Sequence, residues 1–506
     1  MDCDECNGEW GILMLIQQWS QFYKDAQSKQ VILFGIGKIC EHILRCFGPN
    51  IAIKSVIDNS LAKVNQDIFV LFPNLRDVQI KDPIIHSSDY IDTLADTSKY
   101  ILLVTTKYDD EILENIDIGS FYKVYSVPKM NRELSAKREQ FDKLPVINNK
   151  VVVFIGIHGE HGKAITRKLL EMAASVDIVW IVDRKPTTWP SNVRLVYRYD
   201  FEAYYYEVMT AKIWIVDMTV DSDIKKKDGQ IYLQVKHWSS ITLKKFSCED
   251  MKWTLMPGAV ENQKIEAART DYILSGSQFD EDSCRRGFLY NGPFIRVGSP
   301  RSDILFDKNV IKDIRQKLGV NPNYKIMLYA PTFRVSKDGA SVCRHINQNI
   351  DFDLLRKSLK KRFSGDWIIF LRLHPFMENS VNDTVLPEYV RNVSKYDDSQ
   401  ELVACCDALI SDYSSIMFEA AYVYKPIFLF TPDLDEYLQN ERQLLLDYRN
   451  LPFPISESNE EITRNIEDFD EAKYCKDVEA LFNKYQIHED GHAGERAAKF
   501  ILELMS

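Results

Sequence analysis

Residues 407–430 read DALISDYSSIMFEAAYVYKPIFLF, and their order decides the fold class. An apolar run over 407–410 is followed by the polar loop Ser411–Ser415, a helical pattern over 416–423, and a second apolar run over 427–430. A buried strand, a loop, a short helix and another buried strand in this order predict a βαβ unit. Apolar runs and helical patterns alternate in this way along most of the chain, which predicts an α/β fold with parallel sheets.

The alternation divides into three α/β regions. The first predicts a small Rossmann-like domain over residues 1–130. Charged and polar residues, with a proline near each end, predict a linker over 131–148. Two further α/β domains are expected over 149–297 and 298–506, the second ending in an amphipathic helix over 494–504. Two such domains in tandem suit an enzyme whose site lies in the cleft between them.

Composition excludes some classes of function. The chain has 506 residues, 45% of them hydrophobic and 27% charged, with a formal net charge of −11. An acidic chain lacks the clustered Lys and Arg that general nucleic-acid binding requires. No apolar run reaches the roughly 18 residues of a membrane-spanning helix. The first residues are acidic where a secretory signal is basic, so we expect a cytoplasmic protein.

The loop Ser411–Ser415 is the first candidate site. It follows a strand and precedes a helix, where backbone N–H groups and the helix dipole favour an anion. The hydroxyls of Ser414 and Ser415 add hydrogen-bond donors for a diphosphate, and Glu419 lies one turn along the helix, within reach of a ribose. The alternatives are that the serines only cap the helix and that Glu419 is an exposed carboxylate.

Two other strand ends carry cations. Arg334 follows the apolar run 326–329, and Arg372 and His374 follow the run 367–371. A lone Arg is usually a surface residue. Two at the carboxyl ends of strands in one sheet, together with a His, indicate a phosphate site, because the planar guanidinium matches phosphate geometry.

His237 is the candidate general base. It follows the run Ile231–Leu233, and an imidazole titrates near neutral pH. The alternative is a structural histidine packed beside Trp238.

The first domain carries part of a dinucleotide pattern. Gly35 and Gly37 follow a strand, and Asp58 lies at the distance of a ribose-binding carboxylate, but Cys40 stands where the pattern has Gly or Ala. One reading is an NAD(P)-dependent oxidoreductase or nucleotide-sensing module. The other is a retained fold with no ligand.

Two further patterns match known motifs only by letters. Residues 158–163, HGEHGK, open a helix after a strand but lack the ending of a phosphate-binding P-loop. His488 and His492 have the spacing of a zinc protease, but Asp490 and Gly491 between them predict a turn, not a helix. We predict no metal site.

Six motifs in order resemble one family, the CDP-glycerol glycerophosphotransferases of teichoic acid and capsule synthesis. The resemblance covers about residues 150–500. It departs from the family pattern after His237, where the following segment is about two residues longer. The motifs are Gln234–His237, Gly298–Asp303, Tyr329–Arg334, Arg372–Pro375, Ser411–Glu419 and Thr431–Tyr437.

The resemblance implies a GT-B-type pair of Rossmann-like domains, here preceded by the additional N-terminal domain of unknown role. It implies transfer of glycerol phosphate or ribitol phosphate from a CDP-alditol to a hydroxyl of a glycan or lipid-linked polymer, with release of CMP. It implies peripheral contact with the inner face of the cell membrane. No cofactor is certain, and a divalent-metal requirement stays open. A GT-B glycosyltransferase using a nucleotide sugar is the alternative.

The resemblance also assigns residues to roles. The catalytic residues are His237 and His374. The donor-binding residues are Arg301, Arg334, Arg372, Ser411, Asp412, Ser414, Ser415 and Glu419.

Overall fold

The structure is a computed structural model in which the chain forms two compact units. The first unit comprises Met1–Pro145 and Val196–Thr210, and the second comprises Val146–Leu195 and Ala211–Ser506. The residues it describes are 18–48, 51–72, 75, 78–156, 159–172, 175–183, 185–198, 200–221, 224–256, 258–332, 350–373, 386–440 and 443–506.

The first unit contains a five-stranded parallel sheet of order β3-β2-β1-β4-β5. This is the predicted Rossmann-like sheet, and the apolar runs of the sequence are its buried central strands. Its strands and helices are α1 (Gln18–Ala26), β1 (Gln30–Phe34), α2 (Lys38–Phe47), β2 (Ile53–Ile57), α3 (Ile68–Leu71), β3 (Ile80–His86), β4 (Tyr100–Val104), α4 (Asp109–Glu114), β5 (Lys123–Ser126) and α5 (Val127–Asp142).

The predicted linker is largely helical. Helix α5 spans Val127–Asp142, and its first turn is capped by the Ser126 hydroxyl, which accepts a hydrogen bond from the Lys129 amide. Its charged residues are exposed or half-buried, while Val127, Met130 and Phe141 are buried. A helix with a narrow buried face and many charged residues therefore has the same composition as a linker. The boundary between the units falls at Pro145.

The second unit begins with a seven-stranded parallel sheet of order β12-β11-β10-β9-β6-β7-β8. The segment Val196–Thr210, which sequence places in this domain, groups instead with the first unit. The elements along this stretch of the chain are β6 (Ile147–Ile155), α6 (Glu160–Met172), β7 (Asp177–Val182), β8 (Arg194–Tyr197), α7 (Phe201–Thr210), β9 (Ala211–Val216), β10 (Ile231–Gln234), α8 (Met251–Thr254), α9 (Ala259–Arg269), β11 (Tyr272–Ser275), α10 (Gln278–Gly287) and β12 (Phe294–Arg296). Of these, α7 and the last two residues of β8 belong to the segment that groups with the first unit.

A six-stranded parallel sheet of order β15-β14-β13-β16-β17-β18 completes the second unit. A 3₁₀ helix over Pro300–Phe306 connects the two sheets. The elements are α11 (Lys308–Lys317), β13 (Tyr324–Ala330), α12 (Phe352–Phe363), β14 (Asp366–Leu371), β15 (Val390–Asn392), α13 (Ser399–Cys405), β16 (Ala408–Ser411), α14 (Ile416–Tyr422), β17 (Ile427–Phe430), α15 (Leu434–Asn440), β18 (Ile455–Ser456), α16 (Asn459–Glu467), α17 (Glu471–Tyr485) and α18 (Ala493–Met505).

The register of the six-stranded sheet brings its loops together. Tyr329 of β13 pairs with Leu371 of β14 on one side and with Ile410 of β16 on the other. The residues that follow these three strands therefore leave the sheet at one edge, which is where ligands bind in open α/β sheets.

The last helix returns to the half of the second unit built on the seven-stranded sheet. Phe500 of α18 packs edge-on against Tyr272 of β11, with ring centroids 5.1 Å apart. Asp303 receives the start of this helix, because its carboxylate accepts hydrogen bonds from the amides of Ala493 (3.0 Å) and Gly494 (2.7 Å). The last helix thus packs against the half of the second unit built on the seven-stranded sheet.

Replacing Asp303 tests this docking. Asp303→Ala leaves two amides at the helix start without their acceptor, and we expect the free energy of unfolding to fall by about 1–2 kcal/mol. Hydrogen exchange of residues 493–505 should accelerate. The matched control is Asp307→Ala, which removes the carboxylate that caps α11 through Asn309 and Val310. Unchanged exchange over 493–505 in Asp303→Ala contradicts the assignment.

Candidate active site

The first half of the loop Ser411–Ser415 is anchored to strand β13. The Ser411 hydroxyl donates to the Ala330 carbonyl oxygen at 2.8 Å. One carboxylate oxygen of Asp412 accepts from both the amide and the hydroxyl of Thr332, each at 2.9 Å. Ser411 and Asp412 are fully buried, so in this structure they fix the loop.

Aromatic side chains fix the middle of the loop. Tyr413 is fully buried, and its ring stacks on that of Tyr437 with centroids 3.5 Å apart. Its hydroxyl donates to Asp433 at 3.0 Å, while the Tyr448 hydroxyl donates to the carbonyl oxygen of Asp412 at 2.8 Å. These contacts hold the middle of the loop in one position.

Ser414 and Ser415 stand at the start of helix α14 and are both half-buried. The Ser414 hydroxyl accepts a long hydrogen bond, 3.4 Å, from the Ile416 amide. The Ser415 hydroxyl accepts from the Leu243 amide at 3.1 Å and lies 3.1 Å from the Thr242 hydroxyl. Ser415 thus joins the loop Ser411–Ser415 to the segment that follows His237.

The candidate base His237 lies between two inward-facing side chains. Lys236 has a left-handed backbone, with φ at 62°, and its ammonium contacts a carboxylate oxygen of Asp280 at 2.5 Å. The indole N–H of Trp238 donates to the other Asp280 oxygen at 3.1 Å. His237 itself is half-buried, with its ring edge-on to Trp238 at 5.0 Å.

Arg301 connects the segment around His237 to helix α14. Its guanidinium donates to the His237 carbonyl oxygen at 2.7 Å and pairs with the Glu419 carboxylate at 3.2 Å. The Gln400 amide also donates to Glu419, and Glu160 approaches Arg301 to 3.8 Å. Glu419 is 1% exposed, so the reading of an exposed helix carboxylate is wrong.

Burial and pairing oppose each other in this network. Burial alone would lower the pKa of Arg301, but the Glu419 and Glu160 carboxylates raise it above its ordinary value. Burial raises the pKa of Glu419, which Arg301 partly offsets. Pairing of this kind offsets part of the cost of burying charged groups.

A second polar cluster follows on the same segment. Ser239 and Ser240 both bond the Tyr422 hydroxyl of α14, through the Ser239 hydroxyl at 2.8 Å and the Ser240 amide at 3.2 Å. The Ser240 hydroxyl donates to Glu489, which also accepts from the Ser299 amide at 3.0 Å. Burial raises the pKa of Glu489 to about 7.

Of the remaining predicted site residues, only Arg372 lies within the described ranges. The Arg372 guanidinium donates to the carbonyl oxygens of residues 393, 394 and 396, at 3.1, 2.5 and 2.6 Å, and so braces a neighbouring loop. Arg334 and His374 lie outside the described residues. Their roles stay predictions, as do the ligand contacts of the other site residues.

In the first unit, the Asp58 carboxylate bonds the backbone of the loop that contains Gly35 and Gly37. One Asp58 oxygen accepts from the Ile36 amide at 2.7 Å and contacts the Lys63 ammonium at 3.0 Å, and the other accepts from the Ser60 amide at 2.8 Å. These bonds occupy the group that would bind a ribose. The arrangement favours a retained fold without a dinucleotide.

Within the ranges described, no group of three or more His, Cys, Asp or Glu side chains is arranged to hold a metal ion. Gly491 has a left-handed φ of 79°, and helix α18 begins only at Ala493, so His488 and His492 do not share a helix face.

Sequence reasoning missed several side chains of the site, namely Glu160, His161, Gln400, Tyr422 and Glu489. The only sequence signal was at Glu160 and His161, in the segment HGEHGK directly after a strand. The others are ordinary helix or loop residues, and only their partners, far away in the chain, give them a role.

Most of the chain matches one known protein family. Residues 138–503 match the family CDP-Glycerol:Poly(glycerophosphate) glycerophosphotransferase, which covers most of the chain. The chain belongs to this family. It is therefore an enzyme of the glycerophosphotransferase type, as the six motifs implied.

Curated relatives are teichoic acid enzymes. A teichoic acid poly(glycerol phosphate) polymerase of Bacillus spizizenii is 28% identical over 372 residues, or 70% of this chain and 92% of the relative. A teichoic acid glycerol-phosphate transferase of Staphylococcus aureus is 26% identical, over 71% of this chain and 94% of the relative. A polymerase of Staphylococcus epidermidis is longer, and its 25% identical match covers 80% of this chain but 60% of the relative.

A solved structure confirms the fold. The wall teichoic acid polymerase TagF aligns with a TM-score of 0.64 at 24% identity, over 74% of this chain and 94% of that structure. The predicted GT-B-type pair of domains, preceded by an additional Rossmann-like sheet, is therefore confirmed. Among the described residues, no helix is long and apolar enough to cross a membrane.

The raised pKa of the half-buried Glu489 makes the stability of the chain depend on pH. Its pKa of about 7 exceeds the ordinary carboxyl value of the unfolded chain, so between these values the folded chain holds a proton that the unfolded chain has lost. Wild-type stability should therefore fall as pH rises toward 7. Glu489→Gln mimics the protonated form, and its stability relative to wild type should increase by about 3 kcal/mol from pH 4.5 to 8.

Denaturant unfolding of both proteins at a series of pH values measures this difference. Asp217 and Glu133 also have pKa values raised to about 7, but they occur in both proteins and cancel in the comparison. Parallel stability curves for the two proteins would contradict the prediction.

Proposed function

We propose that this chain transfers an alditol phosphate from a CDP-alditol to a hydroxyl group of a teichoic-acid-like or capsule polymer. The observation that carries the proposal is the meeting of the donor loop with the His237 segment. Ser415 bonds Leu243, and Arg301 spans from the His237 carbonyl to Glu419. The segments that carry the proposed base and the proposed diphosphate site are in direct contact, which supports the proposal.

The reaction is one of positioning and charge stabilisation. The acceptor hydroxyl attacks the phosphorus that bears the alditol, a new O–P bond forms, and the O–P bond to CMP breaks. His237 takes the hydroxyl proton, and CMP leaves with the electron pair and its negative charge. Donors held in place before the reaction supply most of the rate in such phosphoryl transfers.

Two layers of residues would serve the donor. We assign Ser414, Ser415 and the amides at the start of α14 to the diphosphate, with Arg334, Arg372 and His374 as further contacts that the family implies. Arg301, Glu419, Ser411 and Asp412 support this layer, because their side chains are buried and already bonded within the protein.

Relatives support the choice of donor. One TagF structure is of a His-to-Asn variant soaked with CDPG. A 31% identical match over 218 residues, 42% of this chain, is a teichoic acid ribitol-phosphate primase of Bacillus spizizenii. Both glycerol and ribitol donors are therefore to be tested.

We also propose that the enzyme works at the inner face of the cell membrane. The short helix α8 and the residues after it present Met251, Leu255 and Met256, whose exposed fractions are 66%, 83% and 57%. Lys252 lies between them and is exposed. Apolar side chains beside a cation suit shallow binding to an anionic lipid surface.

A donor screen tests the proposed reaction. Purified chain with CDP-glycerol or CDP-ribitol and a glycerol-phosphate-primed acceptor should release CMP. UDP- and GDP-sugars should neither react nor raise the melting temperature, because only a donor that binds the folded state stabilises it. Absence of CMP with both CDP-alditols, or turnover of a nucleotide sugar, contradicts the proposal.

Replacing His237 tests its proposed role as the general base. His237→Asn should lower kcat by about 100-fold, the contribution typical of a general base, while the donor still raises the melting temperature as in wild type. The control is His488→Asn, a histidine outside the site. Equal kcat in His237→Asn and wild type would remove His237 from the mechanism.

Membrane binding is tested by flotation with vesicles of phosphatidylglycerol and phosphatidylethanolamine. Replacing Met251, Leu255 and Met256 together by Ser should reduce the bound fraction at least about fivefold, and added salt should weaken wild-type binding. The matched control replaces the exposed Leu61 and Val70 of the first unit by Ser. Equal binding by the triple variant contradicts the proposed surface.

A further inference from the structure

Helix α6 places a buried histidine against the backbone of the candidate base. The helix begins at Glu160, after the loop that follows β6, and His161 in its first turn is 2% exposed. The Nε2 atom of His161 lies 2.9 Å from the Trp238 carbonyl oxygen, and its Nδ1 atom lies 3.4 Å from the Arg301 amide nitrogen. His161 therefore touches both the base segment and the segment that bears Arg301.

The two contacts fix the tautomer of His161. The Arg301 amide is a donor, so Nδ1 accepts and carries no proton. Nε2 then carries the proton and donates it to the Trp238 carbonyl. Burial, reinforced by the Arg301 guanidinium, lowers the pKa of His161 well below its ordinary value, so the ring stays neutral and keeps one donor and one acceptor.

The carbonyl oxygens of His237 and Trp238, which follow one another in the chain, each accept a hydrogen bond from a buried side chain. The Arg301 guanidinium donates to the His237 carbonyl at 2.7 Å, and His161 donates to the next carbonyl, that of Trp238, at 2.9 Å. Asp280 holds the Lys236 and Trp238 side chains on either side of His237. The backbone of His237 has little freedom to rotate.

We propose that His161 is a positioning residue that, together with Arg301, orients the backbone of His237 so that its imidazole meets the acceptor hydroxyl. This rests on the proposed function, in which His237 is the base. His161 itself contacts no reacting group.

Positioning of this kind has a measurable value. A proton is transferred efficiently only when donor and acceptor are within hydrogen-bond reach, and a misplacement of about 1 Å can cost about 100-fold in rate. Loss of the His161 contact should lower kcat and leave binding of the CDP-alditol donor unchanged, because the donor loop is anchored separately through Asp412 and Tyr413.

Three variants separate positioning from general damage to the helix. His161→Phe removes both hydrogen bonds. His161→Gln keeps an amide N–H in the place of Nε2. Thr166→Val is the matched control, since Thr166 is a fully buried residue of the same helix whose hydroxyl accepts a 3.0 Å hydrogen bond from Trp180, away from His237.

We expect kcat for CMP release to fall about 10- to 100-fold in His161→Phe with KM for the donor within about twofold of wild type. His161→Gln should recover most of kcat. Thr166→Val should keep wild-type kcat even if its melting temperature falls. A His161→Phe variant with wild-type kcat, or a Thr166→Val variant that loses as much kcat, overturns the proposal.

Hydrogen exchange gives a readout that does not depend on activity. Amides of residues 237–243 should exchange faster in His161→Phe than in wild type. In His161→Gln and Thr166→Val their exchange rates should be near those of wild type. If wild type releases no CMP, the proposed function fails, while the exchange still judges the contact. Unchanged exchange over 237–243 in His161→Phe overturns the positioning role, whatever the activity.

Discussion

The ion pair between Arg301 and Glu419 is the interaction on which the second unit depends. It joins the 3₁₀ helix that follows the seven-stranded sheet to helix α14 of the six-stranded sheet, and both side chains are buried. Desolvating two charges is costly, and removing one partner of such a pair typically costs about 3–5 kcal/mol because the other is left uncompensated. The two sheets are therefore constrained to meet at helix α14, just after the loop Ser411–Ser415 ends.

The site is built in two layers with different tasks. The first layer comprises Ser411, Asp412 and Tyr413, whose side chains are buried. They hold the loop in place through hydrogen bonds to Ala330 and Thr332 and through ring stacking on Tyr437 of helix α15. Ser414 and Ser415 stand at the half-buried edge. Ser411 and Asp412, which the sequence suggests as ligand-binding residues, thus hold the loop in position in this structure.

The sequence predicts the sheets well because strand periodicity is local. The apolar runs at 31–34 and 427–430 are buried strands as predicted. The sequence does not predict helix α5, because charged surface helices and linkers share a composition. It predicts neither the burial of Glu419 nor the contacts of His161, because their partners, Arg301 and Trp238, lie 118 and 77 residues away. Such pairings depend on how whole domains pack, which no local pattern records.

The return of helix α18 means that the chain passes between the two sheets twice, near residues 297–300 and near 487–493. Gly298 and Gly491 have left-handed backbones at these two crossings, and Glu489 of the second crossing bonds the Ser299 amide of the first. Because the two crossings are hydrogen-bonded to each other, they form one joint between the sheets, and a change in the backbone at either crossing would be transmitted to the other.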